Sequence, residues 1–131
     1  MIYTMERLQL PKDFCSQILE LDKTIRFAGI ARLGNMISAE YREGLDPLLS
    51  KRESEIYAVQ TAITADTRKT MEDKLGKTVY SATLYKKIKR GTIPLSNDYL
   101  LMLSFDTNTD HESIILNKIM PLVKKYDLLE K

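Results

Sequence analysis

Hydrophobic and polar positions change period several times along the chain, and each change predicts an element. Phe14, Ile18 and Leu21 recur at helical spacing, widened by Cys15 and Leu19, and Pro11 suits a first turn, so a first helix is predicted over Pro11–Asp22. From Thr24 to Arg42 the period falls to two. Ile25, Phe27, Gly29 and Ala31 alternate with Arg26, Ala28, Ile30 and Arg32, and Gly34-Asn35 supplies residues that tolerate positive φ, which predicts a hairpin whose second strand is Met36–Arg42. Gly44 and Asp46-Pro47 then turn the chain.

Ser50-Lys51-Arg52-Glu53 matches a capping box and opens a long amphipathic helix predicted over Ser50–Leu75, closed by Gly76. Ile56, Val59 and Ile63 fall within roughly 60° of one another on it and are expected to lie on the sheet. Ala58, Ala62 and Ala65 form a second strip turned roughly 120° away. The run Thr78–Asp106 is rich in β-formers and divides into strands near Thr78–Tyr85, Lys87–Leu95 and Asp98–Asp106, with a turn at Ser96-Asn97-Asp98 and a break placed at Lys86-Lys87. Pro94 belongs at a strand end. Thr109-Asp110-His111-Glu112 matches another capping box before a closing helix with Ile114, Ile115, Ile119 and Leu122 on one side, which Pro121 should kink or end unless a new turn starts there. The order α-β-β-α-β-β-β-α predicts an α+β fold, a five-stranded antiparallel sheet packed with helices.

Composition narrows the picture further. The chain has 131 residues, 44% of them hydrophobic, which fits one domain over residues 1–131 with a single core. A net charge of +2 points to no nucleic-acid partner by itself. Cys15 is the only cysteine, so there is neither an internal disulfide nor a thiolate metal cluster. Met1–Leu10 carries Glu6 and Arg7 in place of an apolar leader core, and no apolar run is long enough to span a bilayer, so a cytoplasmic protein is expected.

Few residues offer chemistry. His111, the sole histidine, reads as a surface residue of a helix start, and Cys15 as a small buried hydrophobe. Asp106, Asp110 and Glu112 lack the glycine and terminal glutamate of a calcium loop, and Lys74-Leu75-Gly76-Lys77 lies in the wrong order of elements for a phosphate loop. Gly29 and Gly34 lack the third glycine of a dinucleotide fingerprint. Tyr41, Tyr57 and Tyr99 read as core or rim residues. No catalytic residue, metal site or cofactor is predicted. Lys77, Lys86, Lys87, Lys89 and Arg90 form a basic segment without an intervening acid; it reads either as a solvated strand end or as a patch for nucleic-acid phosphates or another anionic surface, with Tyr80 and Tyr85 as stacking faces.

The run Ile25-Arg26-Phe27-Ala28-Gly29-Ile30-Ala31, the turn Leu33-Gly34-Asn35 and the run Met36-Ile37-Ser38-Ala39 resemble the first hairpin of the roadblock family of dynein light chains and bacterial and archaeal GTPase regulators. Ile25–Leu49 and Tyr99–Asp106 look closest to an uncharacterised group of small archaeal proteins, themselves roadblock-like or profilin-like. The resemblance implies a strand order of second, first, fifth, fourth, third, and homodimers formed by pairing the second helix with its mate and joining third strands edge to edge. On that basis Ala58, Ala62, Ala65, Val79 and Tyr80 are the expected self-association residues. It also implies a non-enzymatic interaction module whose partner could be a small GTPase. The alternatives are a small-ligand sensor with a pocket between layers, and a nucleic-acid binder using the basic segment.

Overall fold

The computed structural model describes residues 8–130, so most of the stretch read for a leader, Met1–Leu10, lies outside the described residues. The elements are α1 (Phe14–Glu20), β1 (Ile25–Arg32), β2 (Asn35–Tyr41), α2 (Lys51–Lys69), α3 (Glu72–Leu75), β3 (Ser81–Leu84), β4 (Lys89–Pro94), β5 (Tyr99–Phe105), α4 (His111–Ile114) and α5 (Met120–Lys125). All strand pairs are antiparallel and the sheet order is β2-β1-β5-β4-β3, as the resemblance implied. The break at Lys86-Lys87 is a tight turn, in which Tyr85 N donates to the Ile88 carbonyl (2.8 Å). Pro94 ends β4, opposite Leu100.

β5 is central and buried along its whole length. One face of the sheet, with Ile25, Ala28, Ile30, Ile93, Leu101, Leu103 and Phe105, packs on Phe14 and Ile18 of α1 and on Ile115, Ile119, Val123 and Leu128 from the C-terminal region. Of the helical stripe predicted at Ile114, Ile115, Ile119 and Leu122, the isoleucines are core and Leu122 packs half-buried against it. Pro121 does not end this helical run, because a new α-helical turn starts there. A π turn over Ile115–Ile119 joins α4 to α5, in which the proline takes a first-turn position, where its missing N–H costs least. The N-cap is Asp110, whose carboxylate accepts from Ser113 N (3.2 Å), not the predicted Thr109. Thr109 is buried instead, and its carbonyl accepts from Lys89 Nζ (2.7 Å).

Loops are tied down by specific polar contacts. Asp22 accepts from the Thr24 hydroxyl (2.6 Å), the Thr24 amide (2.9 Å) and Lys118 Nζ (2.9 Å), joining the α1–β1 turn to the π turn. The Thr24 hydroxyl, followed by Lys118, holds the Asp22 carboxyl well below its ordinary value of 3.8. A depressed carboxylate pKa contributes stability above the unfolded-state value, and that contribution fades as pH falls towards the folded one. Asp22→Asn is expected to cost about 2 kcal/mol at neutral pH. It should also flatten the loss of stability below about pH 5, seen in urea titrations across pH. An acid limb identical in the variant and the wild type would contradict that assignment.

Candidate functional site

Ser50 and Glu53 form the reciprocal cap that the sequence predicts: Glu53 N donates to Ser50 Oγ (3.1 Å) and Ser50 N to Glu53 Oε1 (2.9 Å). The helix they open is shorter than predicted. It ends at Lys69, and α3 follows before Gly76, which adopts φ of +84° as expected of a closing glycine. Thr61, Thr64 and Thr67 return their hydroxyls to carbonyls four residues back, and Thr70 to Thr67. Such back-bonding competes weakly with the helical ladder and tends to bend helices.

The orientation of α2 reverses the sequence expectation. Ile56, Val59 and Ile63 are 48%, 47% and 62% exposed, whereas Ala58 is fully buried against Phe27, Ala31 and Met102. The small side chain lets the helix settle closely on β1 and β5, so the alanine strip faces the sheet and the branched stripe faces outwards. Ala58 is thereby withdrawn from any contact with another molecule. Ala62 and Ala65 are half-buried and line a cleft of about 680 Å³ between α2 and the β3–β4 half of the sheet. Ser81, Thr92 and Pro94 form part of its sheet wall. Two polar bridges cross it: Arg68 Nη1 to Ser81 Oγ (3.4 Å), and Lys69 with Asp98.

Val79 and Tyr80 do not belong to the edge strand, which begins only at Ser81. Val79 is exposed and lines the cleft. The Tyr80 hydroxyl donates to Glu112 Oε1 (2.9 Å), an acceptor that raises its pKa, and its ring meets His111 edge-on at 6.0 Å. Tyr80 also packs against the main core, which turns it away from the free edge. β3 itself is an open edge. Ala82, Thr83 and Leu84 are exposed and none of Ser81–Leu84 is charged.

The basic segment does not gather into one patch. Lys77 pairs with Glu130 (3.1 Å), Lys89 is spent on the Thr109 carbonyl, and Arg90 stacks over the Tyr57 ring at 4.0 Å with its Nε buried. Burial lifts the Tyr57 hydroxyl pKa, and the Arg90 charge opposes that rise. Only Lys86 and Lys87 project freely at the turn between β3 and β4. This stacking of Arg90 has no sequence signal, because Tyr57 and Arg90 meet only when α2 crosses the sheet.

The remaining titratable candidates are structural. Cys15 is buried with Sγ 3.5 Å from Ser38 Oγ, and burial pushes its thiol pKa up, away from nucleophilic character. Asp106 pairs with Arg26 (3.0 Å), Asp110 caps a helix and Glu112 accepts from Tyr80. Among the described residues no group of three or more His, Cys, Asp or Glu could hold a metal ion. No helix among them is long and apolar enough to cross a membrane. What the arrangement offers is surface: an uncharged strand edge, a half-covered sheet face and an outward apolar stripe.

No family model matches the sequence, and no curated protein matches it significantly. Solved structures do match. A Roadblock/LC7 domain from Streptomyces avermitilis superposes with a TM-score of 0.63 at 13% identity, covering 86% of this chain and 92% of that one. A structure described as MglB with tetrameric arrangement gives 0.65 at 15%, covering 92% and 88%. The gliding protein MglB from Thermus thermophilus gives 0.58 at 16%, covering 92% and 89%. The fold is therefore that of roadblock domains.

Proposed function

We propose that this chain is a non-enzymatic homodimeric interaction module that binds or regulates a protein partner, of which a small GTPase is the leading class. The observation that carries the self-association is the half-covered sheet. α2 lies over β1 and β5, and beside it the β3–β4 half of the same face is left open as a cleft bordered by an edge strand without charge. An unprotected edge next to an uncovered sheet face is a surface that pairing with a second copy satisfies, through main-chain hydrogen bonds along β3 and through the second copy's α2 over the open half. The family resemblance implies the same edge-to-edge joining of third strands, there with the second helix paired with its mate, and a tetrameric arrangement is described for one protein of this fold. Ala62 and Ala65 then contribute from the cleft wall, Val79 from its rim, and Ala82 and Leu84 from the edge.

The GTPase class rests on resemblance to the roadblock regulators. Two measurements test the reading together. Sedimentation equilibrium is expected to show dimers at micromolar protein, and co-elution with small GTPases of the native cell, loaded with GDP or a GTP analogue, is expected for the dimer. A chain that stays monomeric throughout that range removes the first part; a dimer that co-elutes with none of them removes the second.

The cleft itself favours one further reading, a small-ligand sensor, because its volume lies within the range of ligand sites. A ligand specific for the folded chain would raise the melting temperature, so a metabolite panel that produces no shift disposes of it.

A further inference from the structure

Joining β3 strands leaves β2, the opposite edge of the sheet, uncovered. Among the described residues β2 pairs only with β1. The Arg42 amide donates to the Arg26 carbonyl (2.9 Å), which fixes the alternation along the strand. Arg42, Glu40 and Ser38 turn their main chain towards β1, while Ala39 and Tyr41 turn theirs outwards. Ile37 is the extra residue of a bulge, since Ile30 pairs with Ser38 and Ala31 with Met36, so the regular free edge is Ser38 to Tyr41.

This edge lies between two helices. On one face α1 approaches it, with Cys15 Sγ 3.5 Å from Ser38 Oγ. On the other, Val59 of α2 stands 3.3 Å from where a side chain on Gly34 would begin, which places the outward stripe of α2 beside the β1–β2 hairpin. Val59, its stripe neighbours Ile56 and Ile63, and Ile37 are all exposed. Lysine and proline, the usual guards of an open edge, are both missing from β2, where Glu40 is the one charge.

We propose that the β2 edge receives an extended segment of another protein, which joins the sheet as a sixth strand and rests alternate apolar side chains on the Ile56 and Val59 flank of α2. Main-chain groups of Ala39 and Tyr41 supply its hydrogen bonds, and the α2 flank supplies side-chain contacts of period two. Glu40 favours lysine or arginine on the incoming strand. It also argues against a second copy here. The antiparallel register that pairs both outward residues, Ala39 with the second copy's Tyr41 and the reverse, sets two Glu40 side chains directly opposite each other. This surface is independent of β3, so its failure and that of the dimer are separable.

The test uses the full chain and a phage-displayed library of random peptides of about twelve residues. Enriched peptides are expected to alternate apolar residues, to carry a basic residue, and to slow amide exchange at Ala39 and Tyr41. Ala39→Pro removes an outward N–H without touching the β1 ladder and should weaken those peptides at least about tenfold. Val59→Asp, at an exposed site, should do the same and carries the test if the proline variant fails to fold. Glu40→Lys should reverse the charge preference. A library that yields no binder, or binders indifferent to both Ala39→Pro and Val59→Asp, overturns the proposal. So does a change of the wild type from dimer to tetramer that Ala39→Pro abolishes, because the edge would then belong to a second copy.

Discussion

Phe105→Ala is expected to cost about 4 kcal/mol of folding stability, a large share of the roughly 5–15 kcal/mol available to a domain. Phe105 is fully buried at the end of the central strand, where it pairs with both Ile25 and Lys89. Its ring fills the space over Gly91: a Cβ built on that glycine would stand 3.3 Å from Phe105 Cε2 and 3.6 Å from Ile115 Cδ1. Phe105, Gly91 and Ile115 thus form one packed unit from two strands and the π turn. Removing the ring leaves a cavity that a central strand, fixed by ladders on both sides, cannot collapse to fill. Urea unfolding should show a lower midpoint with an unchanged slope. A loss under about 1 kcal/mol would mean that this end of the sheet is loosely packed.

Ala82→Pro should convert dimers into monomers at concentrations where the wild type is fully dimeric. Tyr85 N donates to the Ile88 carbonyl, so alternation along β3 turns Thr83 and Ser81 towards β4 and leaves the Ala82 and Leu84 main chains facing outwards. Proline at position 82 deletes an outward donor and crowds the approaching strand, yet leaves every β3–β4 hydrogen bond intact. Its melting temperature at low concentration should match that of the dissociated wild type, separating lost pairing from lost folding. Ala62→Arg offers an independent check from the cleft side. If Ala82→Pro sediments as a dimer, the β3 edge is not where copies meet.

Both substitutions bear on how the chain divides its apolar residues between interior and surface. Leu101, Leu103 and Phe105 on β5 and Ile115, Ile119 and Val123 of the C-terminal helical run are consumed by the main core, and Met102 by the smaller cluster beneath α2. The branched residues of α2 are not, and its only fully buried side chain is an alanine. An apolar stripe left outside on a helix capped by a complete reciprocal box has no use in the isolated fold, and its place beside an open strand edge gives it one.

The sequence by itself determined the order of strands and main helices, the Ser50–Glu53 cap and the closing role of Gly76, because periodicity and capping act within a few residues of chain; the β3–β4 turn at Lys86-Lys87 carries neither glycine nor asparagine and so no such signal. Strand order came within reach through the resemblance. Tertiary structure alone decided which side of α2 faces the sheet, since Ala58 wins that place by permitting close approach, an advantage that no hydrophobic ranking of α2 could express. It likewise decided that Tyr80 turns to Glu112 and that Arg90 stacks on Tyr57, contacts across 32 and 33 positions of chain that exist only once helix and sheet have met. Local order is written in neighbours; the working surface is written in what the packed layers leave uncovered.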